Sequence, residues 1–373
     1  MYRKRLSLAA IAAAAAVGIL GTAAGAATKA EGSQKATKVT LQLKWVTQAQ
    51  FAGYYAAKAK GFYAAQGLDV TIKPGGPNIV PEQVVAGGQA QFGIDWLSSL
   101  MLSRAKGIPL ISISQVFNKS GLTLITWKDT GINTVAKMKG KKVANWLFGN
   151  EFEVFAALAK YGMDPAHNKG VTIVQEPFTM DFFLKRQADA ASAMTYNELA
   201  QVLEAKNPKT GKLYTMKDLN VIKMQTVGTS MLEDNIFTTT DYLKSSTNRD
   251  TAKKFIAASH QGWIYCRSHL KECVNIVLSN GPALPRGHQT WQMNEINALI
   301  WPSPSGIGIM NPAAYARSAK IVATYGKLKK VPGHEAYRTD LAAAANATLT
   351  AKGLDVKGTN WKKAVVHVTP GGK

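Results

Sequence analysis

Aromatic rings and hydrogen-bonding side chains collect at the ends of strand-like runs in this 373-residue chain. Trp45 and Gln48 follow the alternating run 39–45, and Asp95 and Trp96 follow 92–94. Gln115 and Phe117 close the run 111–117, Trp146 ends 143–146, and Tyr196, Asn197 and Glu198 follow 190–195. Flat rings beside amides and carboxylates suit a planar heterocycle, stacked on its faces and hydrogen-bonded at its edges. Taken singly, each of these aromatics would serve a plain core equally well.

Other chemistries lack their residues. His167, His260, His269, His288, His334 and His367 are scattered, with no HExxH pair to hold zinc. The chain has no GxxxxGK[ST] phosphate loop and no GxSxG elbow, and Gly306-Ile307-Gly308 does not continue as a dinucleotide fingerprint. Nothing in the sequence calls for a cofactor or a metal. Glu151 and Glu153 open the helix at 151–161, where an anion would otherwise be welcome, and they disfavour an anionic ligand at that point. Asn150 with Glu153 has the form of a capping box.

The elements that must position these side chains alternate strand and helix. Strand-like runs at 39–45, 68–72, 92–94, 111–117, 122–127, 143–146, 171–174 and 190–195 are separated by helical stretches, and the chain after about 240 is mostly helical. This predicts an α/β fold of βαβ units with parallel sheets, where ligands sit beyond the carboxyl ends of strands. Gly75-Gly76-Pro77 reads as a turn.

Residues 1–26 carry the form of a secretory signal: basic Arg3, Lys4 and Arg5, an apolar run, then Ala24-Gly25-Ala26. Cleavage near Ala26 predicts an exported, periplasmic protein, and no later run is long and apolar enough to span a bilayer. The 45 Lys and Arg against 23 Asp and Glu give a net charge of +22, most of it beyond the signal. The lysines are dispersed, the runs 139–142 and 327–330 are short, and no nucleic-acid motif accompanies them, so no nucleic-acid partner is expected. Cys266 and Cys273 lie too far apart to bond on one unbroken helix. A break near 268–270 would allow a disulfide; without it they are two buried thiols.

Several segments together resemble the NMT1/THI5-like family of substrate-binding proteins. They are Leu41-Gln42-Leu43-Lys44-Trp45, Phe51-Ala52-Gly53-Tyr54-Tyr55-Ala56-Ala57, Lys60-Gly61-Phe62-Tyr63, Gly67-Leu68-Asp69-Val70, Gly75-Gly76-Pro77, the run 86–94, and Met194-Thr195-Tyr196-Asn197-Glu198. The resemblance implies a type II periplasmic binding fold with two α/β lobes, one from 38–130 plus 231–330 and the other from 131–230. Crossovers then fall near 130–133 and 229–234, and 331–373 form a C-terminal helical tail. It also implies a protein that hands its small ligand to an ABC permease and its ATPase subunits, meeting the membrane only through the permease; the alternative is a thiamine-pyrimidine synthase-like enzyme, and the cysteines of this chain lead us to expect that it is not an enzyme. Family members bind thiamine-pyrimidine precursors or riboflavin, and related proteins bind sulfonates, taurine or nitrate. Tyr54 joins the expected ligand set, and Glu198 would accept bonds from an aminopyrimidine-type edge. Phe51 stands where the pyrimidine binders often have His, which makes a flavin-like ring credible. The CCCFC motif of the family's pyrimidine-making enzymes has no counterpart in this chain.

Overall fold

The computed structural model describes residues 36–147 and 149–373. The signal-like segment 1–26 lies outside the described residues. Residues Ala36–Lys373 form one compact unit. Its described residues contain ten strands: β1 (Thr37–Gln42), β2 (Leu68–Lys73), β3 (Phe92–Trp96), β4 (Leu110–Ser114), β5 (Leu122–Trp127), β6 (Lys142–Asn145), β7 (Thr172–Gln175), β8 (Ala190–Met194), β9 (Leu219–Lys223) and β10 (Asp234–Thr239). They make two five-stranded sheets, ordered β2-β1-β3-β10-β4 and β7-β6-β8-β5-β9.

The sheets are mixed, which corrects the all-parallel expectation. In the first, β1 runs parallel to β2 and β3, and β10 runs antiparallel to β3 and β4. In the second, β6 runs parallel to β7 and β8, and β5 runs antiparallel to β8 and β9. Each antiparallel strand is the first one laid down after the chain changes sheets. The first change comes between Ser114 and Leu122, so the crossover expected at 130–133 is displaced to the far side of β5. All six residues of β5 are buried, as suits a strand seated between β8 and β9. The return runs between Lys223 and Asp234.

Helices cover the sheets: α1 (Ala52–Ala59), α2 (Pro81–Ala86), α3 (Leu97–Ala105), α4 (Glu151–Ala159), α5 (Asp181–Leu184), α6 (Glu198–Glu204), α7 (Met224–Val227), α8 (Ser246–Ser268), α9 (Leu270–Asn280), α10 (Arg286–Ile300), α11 (Pro312–Tyr325) and α12 (Asp340–Ala351). α1 and α8 touch through glycines. A Cβ on Gly53 would lie 2.2 Å from the Trp263 ring, and one on Gly262 would lie 2.0 Å from the Gly53 carbonyl oxygen. The family-like Gly53 therefore serves packing. Beneath it Phe255 stacks on Phe92 at 4.3 Å and on Tyr63 at 5.3 Å between ring centres.

The helix break expected near 268–270 is present: α8 ends at Ser268 and α9 begins at Leu270. It brings Cys266 and Cys273 into a disulfide with Cα atoms 5.5 Å apart. The segment 331–373 is not a helical tail. Only α12 is a helix of more than one turn, and it buries Leu341, Ala342, Ala345 and Leu349, each such leucine worth about 1.5–3 kcal/mol of apolar burial.

Candidate functional site

A cavity of about 420 Å³ opens where the carboxyl ends of both sheets' strands converge, lined by residues of each sheet's loops. On the first-sheet side, Lys44 and Trp45 follow β1. The Gly75-Gly76 turn lies against their backbone, with Gly75 N donating to the Trp45 carbonyl at 2.8 Å and Gly76 N to the Lys44 carbonyl at 3.2 Å. A Cβ on Gly75 would sit 2.2 Å from the Leu43 carbonyl oxygen, so this close approach needs glycine. Lys44 Nζ pairs with Asp95 Oδ1 and lies 4.0 Å from the centre of the Trp96 ring. The same Asp95 oxygen accepts from Trp96 N at 2.6 Å. Glu82, in the first turn of α2, is buried beside this pair, and burial first, then the Asp95 charge, push its carboxyl well above the usual range.

Gln48 begins a relay along the same wall. Its Nε2 donates to Gln50 Oε1 at 2.7 Å, and Gln50 Nε2 donates to Asp234 Oδ2 at 2.8 Å. Burial raises Asp234 to about 7.

On the second-sheet side, Trp146 follows β6, Phe178 follows β7, and Tyr196, Asn197 and Glu198 follow β8. Glu198 Oε2 accepts from Met194 N at 3.0 Å and Oε1 accepts from Asn197 Nδ2 at 2.6 Å. Burial raises its pKa against these bonds. The Trp45 and Phe178 rings meet across the cavity at 4.9 Å. The indole N–H groups of Trp96 and Trp146 are buried without a hydrogen-bond partner.

The structure thus gathers Trp45, Gln48, Asp95, Trp96, Trp146, Tyr196, Asn197 and Glu198 around one cavity. It does not bring Tyr54 or Gln115 there. Tyr54 points into the core from α1, edge-on to Trp263 at 5.6 Å. Gln115 lies in the first crossing, where its Nε2 donates to the carbonyls of Phe117 at 2.9 Å and Glu233 at 3.0 Å and so pins the two crossings together. Sequence reasoning missed Lys44, Gln50, Glu82 and Phe178, which also line the cavity. Phe178 was within reach of the strand-end rule had it been applied to β7. The capping box is corrected too: Asn150 makes no side-chain cap, and Glu153 instead accepts from Ser120 Oγ at 2.9 Å.

A second polar cluster has catalytic-looking distances. Ser114 Oγ lies 2.8 Å from His260 Nε2, and His260 Nδ1 lies 2.9 Å from Asn346 Oδ1. All three are buried, and none lines the cavity. Burial pushes His260 down to about 4, so it is a neutral core histidine tying α8 to α12 and β4. Among the described residues no group of three or more His, Cys, Asp or Glu could hold a metal ion, and no helix is long and apolar enough to cross a membrane.

Two α/β lobes, each with one antiparallel strand delivered by a crossing chain, and a ring-lined cavity between them define a bilobed type II periplasmic-binding fold. The chain belongs to the NMT1/THI5-like family, whose model matches residues 48–272. A 4-amino-5-hydroxymethyl-2-methylpyrimidine phosphate synthase from Legionella pneumophila is 32% identical over 140 residues, 37% of this chain and 43% of that protein. A riboflavin-binding protein from Chloroflexus aurantiacus is 29% identical over 147 residues, 38% of this chain and 41% of that one. The chain therefore spans less than half the length of these curated relatives. A solved structure described as a putative periplasmic sulfonate-binding protein of a Methylobacillus flagellatus ABC transporter superposes with a TM-score of 0.61 at 14% identity, covering 90% of this chain and 99% of that one. At that identity the likeness is one of fold.

Proposed function

We propose that this protein is an exported solute-binding protein that captures a planar nitrogen heterocycle and delivers it to an ABC permease with its ATPase subunits. The observation that carries this reading is the make-up of the cavity wall. Aromatic rings from both sheets face it, and two indole N–H groups beside it lack partners. Its volume falls within the range of small-molecule pockets, about 300–1,000 Å³.

The charge of the wall argues for a donor-bearing ligand over an anion. Glu82, Asp95, Glu151 and Glu198 line the cavity against the cations Lys44 and Lys106. Lys44 is already paired with Asp95. The large positive charge of the chain is thus spent elsewhere on its surface, and a sulfonate or nitrate would meet more carboxylate than cation here. A thiamine pyrimidine precursor or a riboflavin-like ring fits better, and the curated relatives include proteins named for each.

The enzyme reading has one support, the pyrimidine phosphate synthases among those relatives. Against it, the two cysteines of this chain are bonded to each other and buried, and neither lines the cavity.

Thermal-shift titration with hydroxymethylpyrimidine, formylaminopyrimidine, riboflavin and taurine tests the proposal. A ligand at about 100 times its Kd adds about 2.7 kcal/mol and should raise Tm by roughly 2 °C or more. We expect this from at least one heterocycle and not from taurine. Stabilisation by taurine alone would overturn the ligand class.

A further inference from the structure

α10 bridges the two walls of the cavity. Toward the first-sheet wall, Gln289 Oε1 accepts from Ala49 N at 2.7 Å and Gln292 Oε1 accepts from Gln50 N at 3.1 Å. Toward the second-sheet wall, Trp291 Nε1 donates to the Thr195 carbonyl at 2.8 Å. Between these anchors His288 reaches α6. Its Nδ1 lies 3.0 Å from both oxygens of Glu204, and its Nε2 lies 2.9 Å from Asn197 Oδ1.

With the Asn197 amide oxygen facing His288, the hydrogens follow. A carboxylate and an amide oxygen both accept, so both ring nitrogens of His288 donate. Asn197 Oδ1 is then committed to His288, and Nδ2 is turned to Glu198 Oε1 at 2.6 Å. The reverse amide orientation would need His288 Nε2 as an acceptor and a proton on Glu198 Oε1. Glu198 Oε2 is occupied by Met194 N. Each oxygen of Glu198 thus accepts one hydrogen bond, and Asn197 and Glu198 both line the cavity.

We infer that His288, oriented by Glu204, is a positioning residue for ligand recognition: by locking the Asn197 amide it holds Glu198 as an acceptor, so that the cavity selects heterocycles presenting an exocyclic amine or ring N–H at that edge. This rests on the heterocycle reading above. His288 itself lies behind Asn197 and is not among the residues lining the cavity.

The test compares 4-amino-5-hydroxymethyl-2-methylpyrimidine with its counterpart lacking the 4-amino group, by calorimetric titration of the wild type, His288→Ala and His288→Gln. A hydrogen bond to a charged group is worth roughly ten- to a hundredfold in affinity, so the wild type should prefer the amino probe at least tenfold. In His288→Ala the preference should fall below threefold. His288→Gln, whose amide nitrogen has a hydrogen for each acceptor, should keep most of it. A folded His288→Ala with the wild-type preference overturns the inference. The side-chain amide signal of Asn197 in nitrogen-15 NMR gives a ligand-free arm. It should be displaced from the free-amide position in the wild type and His288→Gln, and return to it in His288→Ala. If neither probe binds the wild type, the pyrimidine form of the heterocycle reading fails and the selectivity inferred here fails with it, and an Asn197 signal indifferent to His288→Ala overturns the positioning role separately.

Discussion

The Trp45 ring, carried just past β1, meets the Phe178 ring, carried just past β7, at 4.9 Å and an interplanar angle of 57°. One belongs to each sheet, so this contact spans the cavity and can form only when the two walls are close. A ring slipped into the cavity would find an aromatic surface from each side at this point. Phe178 is 40% exposed, whereas Trp45 also packs against the main core. Phe178→Ala should therefore weaken binding of the cognate heterocycle about 5- to 20-fold, in keeping with roughly 1–2 kcal/mol for a lost aromatic partner. The Tm of the unliganded protein should move by less than about 2 °C. Calorimetric titration with a parallel melting curve separates the two effects, and unchanged affinity would remove Phe178 from the recognition surface.

The ion pair of Lys44 with Asp95 has a different signature. Both side chains are largely buried, and Glu82 adds a second carboxyl beside them. Lys44→Met would leave Asp95 and Glu82 without their cation. Removing one partner of a buried pair costs about 3–5 kcal/mol, most of it the stranded charge. The double variant Lys44→Met with Asp95→Asn should recover much of that loss. Urea unfolding of the two single variants and the double one measures the coupling, and simple additivity would contradict the pairing.

Much of the architecture was legible because its signals are local. Alternation in β1 and the mostly apolar, β-branched run of β5 mark strands within a few residues, and the strand-end rule found Trp45, Trp96, Trp146 and Tyr196 without any fold in view. What failed needed three dimensions. Tyr54 sits in a family-like segment, but its direction is set by how α1 packs against α8 through Gly53 and Gly262. Gln115 stands at the end of an apolar run whose strand stops at Ser114, and the bend that follows aims it at the return crossing. Lys44 and Asp95 are 51 residues apart, and only the pairing of β1 with β3 makes them neighbours. His288 looked like one scattered histidine of six because its partners lie on α6 and at its N-terminal edge, more than 80 residues earlier.

The disulfide closes a short loop at the corner between α8 and α9, with seven residues from Cys266 to Cys273. The chain-entropy estimate for so short a loop is about 2 kcal/mol. Cys266→Ser with Cys273→Ser should lose roughly that amount in urea unfolding, with ligand affinity unchanged because neither residue lines the cavity. Both sulfurs are fully buried, so reductant alone should leave the bond intact under native conditions and break it once denaturant is present. Thiol counting before and after denaturation reads this directly.

The buried acids set a pH dependence opposite to that of a surface-paired carboxylate. Burial raises Asp234 to about 7, Glu233 to about 8 and Glu176 to about 9, from ordinary values of 3.8 for aspartate and 4.5 for glutamate. The neighbouring Asp234 adds to the rise of Glu233, and Glu198 adds to that of Glu176. In each case the folded state holds a proton that the unfolded chain has released. The associated stability is complete below about pH 4 and is lost as pH rises through 7, 8 and 9 in turn. His260, pushed down to about 4 from 6.5, acts the other way: its contribution is complete above 6.5 and is lost as pH falls toward 4. Between pH 5 and 6.5 the three acids together outweigh the one histidine, so the melting temperature should already fall from about pH 5 and keep declining toward pH 9. Glu176→Gln isolates one contributor. Glu176 Oε2 accepts from Ser192 N at 3.1 Å, a bond that a glutamine carbonyl preserves, while Oε1 has no partner. The variant should melt close to wild type at pH 5 and a few degrees above it at pH 9, flattening the alkaline limb. Melting curves from pH 4 to 10 decide it, and an alkaline limb as steep in Glu176→Gln as in the wild type would show that this carboxyl is not protonated in the fold.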